Sequence, residues 1–166
     1  MSRQEDSIGE KLSSSAQKVQ DALKANGLAC QVVEMPQTTR TAEDAAQAVG
    51  STVGQIVKSL IFKGKQTGKP ILIATSGANR VNEKKIAQRL GEPLGKADPD
   101  FVREKTGFAI GGVAPTGHAG PVEIYIDEDL MQYEEIWAAA GTPRAVFKLT
   151  PEDLMNITGG TIISVK

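Results

Sequence analysis

Cysteine and histidine are almost absent. Cys30 and His118 are each the only residue of their kind in 166 positions. No intrachain disulfide can form, which fits a reducing compartment, and one Cys and one His far apart argue against a His/Cys zinc site. Cys30 lies in "LACQVVEM", where a small buried hydrophobe is the usual role, ahead of a nucleophile paired with His118. No apolar run is long enough to span a bilayer, and the opening "MSRQEDSIGEKLSSS" has no apolar core of the kind a signal peptide needs. The expected location is therefore cytoplasmic, with no membrane partner. A Walker loop and a dinucleotide fingerprint are also missing, and "SGAN" at 76–79 is not a nucleophile elbow. No cofactor and no metal are expected. An enzyme with this inventory has to rely on positioned water, backbone donors and lysine charge.

What is present is an ordinary globular composition, 40% hydrophobic and 23% charged, in a length that suits one domain. The net charge of −1 hides an asymmetry: residues 58–96 carry nine Lys/Arg and two acids, net +7, and the remainder is −8. A basic face for a polyanion and a solvated helix face are both compatible with that distribution.

The elements follow from periodicity and punctuation. Residues 9–26 have helical spacing and stop at Asn26-Gly27, behind a flexible tail at 1–8. "LACQVVEM" reads as a strand. Thr41 caps a helix over "AEDAAQAVG" in a capping-box-like arrangement with Asp44, and Gly50 ends it. "IVKSLIF" and "PILIAT" form a hairpin, and Asn82 caps "EKKIAQRL", stopped by Gly91. Lys85 and Arg89 make an i, i+4 basic pair. "DPDFVREKTG" is a short helix, "VEIYID", "EEIWAAAG" and "RAVFKL" are strands, "TPEDLMNI" is a helix capped by Thr150, and "GTIISVK" is a last strand. Asp127, Glu128 and Asp129 read as a solvated turn or helix cap. The sum is one α+β domain over residues 1–166, with a mixed, mostly antiparallel sheet flanked by helices.

Two features carry chemistry. Lys58 lies in "IVKSLIF" on the strand face shared with Ile56, Leu60 and Phe62, the side that looks like core. It either snorkels to water from the strand's start or faces a pocket whose ligand supplies the counter-charge. The second feature is "GFAIGGVAPTGHAGP", where Gly111 and Gly112 let a ligand approach the main chain and consecutive N–H groups can form an anion or oxyanion site. A structural turn with several tight bends is the other reading of that loop.

In order along the chain, "TAEDAAQAVG", "QIVKSLIF", "NEKKIAQRLG", "TGFAIGGVAPTGH", "IYIDEDL" and "AAAGTPRAVFKLTPEDL" resemble the YbaK/ProX family. These are freestanding aminoacyl-tRNA editing domains, also found inserted in bacterial prolyl-tRNA synthetases. The resemblance spans roughly residues 20–166. It implies a trans-editing hydrolase that cleaves the ester joining a small non-cognate amino acid (Ala, Ser, Thr, 2-aminobutyrate or Cys) to tRNA. The implied catalytic positions are Lys58, holding the terminal nucleotide's phosphate, and Gly111 and Gly112, in a Gly-x-x-x-Pro loop that positions the carbonyl and the attacking water. The implied substrate-binding positions are Thr41, Ser76, Gly77, Ala114, Pro115, Gly117, His118 and Val146. The implied tRNA contacts are Lys63, Arg80, Lys84, Lys85 and Arg89. The expected partners are the aminoacyl-tRNA acceptor end and an aminoacyl-tRNA synthetase. Ala114 stands where many members have Ser, and Val146 where some cysteine-specific members have a carboxylate; both departures point away from a cysteinyl substrate. A non-catalytic tRNA- or synthetase-binding module of the same fold is the alternative. A small-molecule or protein-binding domain without an RNA role is a third reading, and it predicts scattered basic charge.

Overall fold

The computed structural model describes residues 12–166. The expected tail at 1–8 and the first residues of the expected N-terminal helix lie outside that range. Helix α1 spans Ser14–Ala25, capped by Ser13, whose hydroxyl accepts from the Ala16 N–H. It buries Ala16, Val19 and Leu23 on one face, as the 3.6-residue repeat requires. Helix α2 spans Ala42–Val49, with the Thr41 hydroxyl accepting from the Asp44 N–H and Gly50 closing it at φ 73°. Helix α3 spans Glu83–Leu90 between Asn82 and Gly91, and α4 spans Pro99–Thr106 behind Asp98. Helix α5 spans Pro151–Thr158 and starts with a reciprocal capping box between Thr150 and Asp153.

Eight strands make one sheet: β1 (Val32–Glu34), β2 (Ile56–Gly64), β3 (Pro70–Ser76), β4 (Leu94–Lys96), β5 (Glu123–Asp127), β6 (Ile136–Ala139), β7 (Ala145–Leu149) and β8 (Thr161–Ile163). Their order is β1-β7-β6-β2-β3-β5-β8, with β4 attached to β2 beside β6. Four pairings are antiparallel and three parallel, so the sheet is mixed with a small antiparallel majority. Strand β1 is shorter than "LACQVVEM" predicts, and β4 has no counterpart in the sequence reading.

The helices cover both faces. One face packs Val57, Leu72, Ala74 and Phe147 with Val19 and Leu23 of α1, Val102 of α4 and Leu154 of α5, in the largest cluster. On the other face α2 covers Ile56 and Trp137, and α3 covers Phe62, Ile71 and Ile73. Lys58 belongs to this second face. The main core therefore lies behind Val57 and Ile61, opposite the face that the sequence pattern marks as core, and Lys58 stands between the two smaller clusters. Of the two roles expected for Asp127, solvated turn or helix cap, it takes the cap: its carboxylate accepts from the Asp129 N–H at the start of the 3-10 turn Glu128–Gln132, and at 1% exposure it also accepts from the Thr75 hydroxyl, the Ser76 N–H and the Asn79 amide.

Candidate active site

Strand β2 has a gap along one edge. Its ladder to β6 ends at Val57↔Ala138, and its ladder to β4 begins at Phe62↔Lys96. Between those points, residues 58–61 have no strand partner on that side. A cavity of about 490 Å³ opens there, and every residue from Ile56 to Phe62 borders it. Alternation of side chains in a strand puts Lys58 and Leu60 on one side of the gap and Ser59 and Ile61 on the other.

Lys58 is half-buried on the cavity wall, and among the described residues it has no carboxylate partner. The segment leading into α2 also lines the cavity, through Arg40 and Thr41. Arg40 carries the second cation of the cavity, and no Asp or Glu among the described residues lines it. Ala42, Ala45, Trp137 and Val146 make the rest of this side apolar. The arrangement suits a small apolar group attached to an anionic one.

The glycine loop closes the cavity from β2's open side. Gly111 has φ +95°, a conformation costly for other residues, and a Cβ there would stand 3.0 Å from the Arg40 Nε. Gly111 and Val113 line the cavity; Gly112 does not. Gly112 packs on the backbone of Thr142, where a Cβ would meet Thr142 N and Cα at 2.7 Å. Its N–H donates to the Ala109 carbonyl and its carbonyl accepts from the Gly141 N–H. It anchors the loop, and Gly111 presents main chain to the cavity.

The positions named from sequence therefore divide. Lys58, Gly111, Thr41 and Val146 meet at one cavity. Ala114 and Pro115 are buried behind the loop, and Gly117 and His118 lie beyond them, off the cavity. Ser76 and Gly77 sit behind α2: the Ser76 hydroxyl donates to the Gly54 carbonyl, and a Cβ on Gly77 would meet Ala42 Cβ at 2.7 Å. Arg40 was missed because an arginine beside an N-cap reads as solvated; its approach to Gly111 joins segments some seventy residues apart. Of the basic positions, Lys84, Lys85 and Arg89 ride on α3, the helix that covers the Lys58 face. Lys85 is tied by its ammonium to the Ser164 hydroxyl and the Lys166 carbonyl. Lys63 lies 5.1 Å from the Phe101 ring centroid, and Arg80 is exposed in the loop before α3.

His118 braces the loop. Its Nε2–H donates to the Ala114 carbonyl at 2.7 Å, and its ring meets Phe108 edge-on. Burial lowers its pKa, and the charge of Lys18 adds to that effect against the Ala114 hydrogen bond. A base whose folded pKa is depressed binds fewer protons folded than unfolded, so stability is lost as pH falls through its ordinary value near 6.5. The melting temperature of the wild-type protein should fall between pH 7 and pH 5, and His118→Asn should flatten that part of the profile. Parallel profiles would mean His118 titrates as in water.

The family model for the aminoacyl-tRNA editing domain matches residues 36–157, which includes α2, the gapped strand and the glycine loop. The chain belongs to the aminoacyl-tRNA editing domain family. The YwhH protein of Bacillus subtilis is 35% identical over 127 residues, 76% of this chain and 80% of that protein. An Enterococcus faecalis protein described as a candidate Cys-tRNA(Pro)/Cys-tRNA(Cys) deacylase, EbsC, is 30% identical over 129 residues, 75% of this chain and 76% of that one. A crystal structure described as a candidate trans-editing enzyme for prolyl-tRNA synthetase is 52% identical and superposes with a TM-score of 0.89, covering 94% of this chain and 99% of that one. The editing domain's α/β architecture and its single mixed sheet are thus shared with solved relatives.

Proposed function

We propose that this editing domain is a trans-acting deacylase that hydrolyses tRNA mischarged with a small amino acid, in the range Ala, Ser, Thr, 2-aminobutyrate and Cys. The observation that carries this reading is the joint bordering of one cavity by Lys58, Arg40 and Gly111. Lys58 holds the phosphate of the terminal nucleotide, and Arg40 adds to the same field. Main-chain donors of the loop at Gly111 and Val113, the two of these positions that border the cavity, stabilise the negative charge that develops on the ester carbonyl oxygen. A water oxygen adds to the carbonyl carbon, the bond from that carbon to the ribose oxygen breaks, and the ribose oxygen takes up a proton. The amino acid leaves as a carboxylate, and one proton is released overall. Thr41 and Val146 limit the size of the acyl group, while Ala114, Pro115, Gly117, His118, Ser76 and Gly77 hold the walls in place from behind. Lys63, Arg80, Lys84, Lys85 and Arg89 attract the acceptor stem.

The test is a panel of mischarged tRNAs under single-turnover conditions. At least one small aminoacyl group should be released well above the rate without protein, and release should slow as salt rises, because phosphate contacts release counterions. Pocket size alone separates neighbouring side chains by ~1–3 kcal/mol, so activity should span more than one amino acid. Binding of the acceptor end without turnover would favour the non-catalytic module.

A further inference from the structure

Among the described residues, the gap in the sheet leaves main-chain groups of β2 without a ladder partner, and their residues border the cavity. The Gly77 N–H donates to the Ile56 carbonyl at 2.7 Å, so Ile56 directs its polar main-chain groups toward β3. By alternation Lys58, Leu60 and Phe62 do the same, while Val57, Ser59, Ile61 and Lys63 direct theirs to the opposite edge. Val57 is in the β6 ladder and Lys63 in the β4 ladder, pairing with Ala138 and Gly95. Ser59 and Ile61 lie between the two ladders without a strand partner. Both border the cavity. Ser59 is half-buried although its hydroxyl oxygen is fully covered and, among the described residues, has no hydrogen-bond partner, so its accessible part is not the hydroxyl.

Buried N–H and C=O groups in native proteins nearly always find partners. We infer that the free edge of β2 at Ser59 holds the aminoacyl group itself, as a one-residue strand addition. In an antiparallel hydrogen-bonded pair, two residues exchange both N–H···O bonds. An extended α-aminoacyl ester offers the matching set, an amine N–H and a carbonyl oxygen that point the same way. The Ser59 carbonyl accepts from the amine, and the Ser59 N–H donates to the ester carbonyl. That carbonyl's second lone pair remains for the glycine loop, whose cavity-lining residues are Gly111 and Val113. The unpaired stretch is only ~13 Å long at about 3.3 Å per residue, and it is closed at both ends by ladders, so it takes one acyl residue and excludes a peptide strand. The inference rests on the deacylase reading and adds what the cavity recognises: the α-amino group, common to every candidate substrate, while side-chain size is selected separately.

The experiment compares each aminoacyl-tRNA with its deaminated counterpart, such as alanyl with propionyl and 2-aminobutyryl with butyryl. Each enzymatic rate is divided by the same ester's hydroxide-catalysed rate. Losing the amine should lower this ratio about ten-fold or more, the usual effect of one lost hydrogen bond to a buried group. An amide-to-ester replacement of the main chain at Ser59, which deletes its N–H, should lower kcat about ten-fold on the aminoacyl ester. It should leave the thermal midpoint within a few degrees, because that N–H has no partner among the described residues. Equal normalised rates with and without the amine would overturn the inference and leave the deacylase reading intact. Hydrolysis of no ester at all would overturn both. A large loss of thermal stability in the backbone variant would show that the Ser59 N–H is paired within the fold, which also overturns the inference.

Discussion

Lys58→Ala is expected to lower single-turnover deacylation about 100-fold while leaving thermal stability nearly unchanged. The size follows from removing one charge-assisted contact to a phosphate, which is worth roughly 1.5–3 kcal/mol. The retained stability follows from the surroundings. Lys58 belongs to none of the hydrophobic clusters and, among the described residues, makes no ion pair with a carboxylate. Its removal leaves no partner group stranded. Lys58→Arg should recover part of the activity, because the positive charge persists in a different shape. Full activity in Lys58→Ala would remove the lysine from the mechanism.

Gly112→Val is expected to fail in a different way, losing activity and stability together. The new side chain meets backbone at Thr142 N, Cα and C, at 2.7 to 2.8 Å from the Cβ alone. Backbone cannot swing aside as the end of a flexible side chain can. Thr142 is also held through the turn in which the Arg144 N–H donates to the Thr142 hydroxyl, and the Ala145 N–H donates to the Thr142 carbonyl. Overpacking of this kind costs roughly 1–3 kcal/mol, a few degrees to about ten in melting temperature for a chain of this size. The loop relieves the clash by moving away from Thr142, which carries Gly111 off the cavity wall. A displacement near 1 Å at a reacting group costs about 100-fold in rate. The route runs through packing on Thr142 and not through filling the approach to the ester, because Gly112 lies off the cavity. Normal turnover with an unchanged melting temperature would show that the close packing of Gly112 on Thr142 is not needed.

The contrast between these variants mirrors what was legible in the sequence. Helix ends were legible because capping is local chemistry: Thr41, Asn82 and Thr150 each cap within three residues, and Gly50 and Gly91 end helices in the left-handed conformation. The hairpin between β2 and β3 was legible for the same reason. Strand β4 was not, because Leu94–Lys96 is three residues long and pairs for only that length. The orientation of β2 was misjudged because both of its faces are covered, and an apolar count cannot rank one cover against another. The cavity is further from sequence still. It exists because β6 and β4 occupy the same edge of β2 and stop short of each other, a property of pairing between distant segments. That explains why motif residues separate: Gly111 reaches the wall, while Ala114, Pro115 and His118 serve the turn behind it.

The claim on which the account depends is that the Lys58 ammonium grips the phosphate of the terminal nucleotide when the ester lies in the cavity. The most direct measurement compares two minimal esters of the same amino acid, one on adenosine and one on cytidylyl-adenosine, which adds a single phosphate on the 5′ side. Wild-type protein is predicted to hydrolyse the phosphate-bearing ester at least ten-fold better in kcat/KM, and Lys58→Ala is predicted to lose that preference. The same preference in both proteins would contradict the claim.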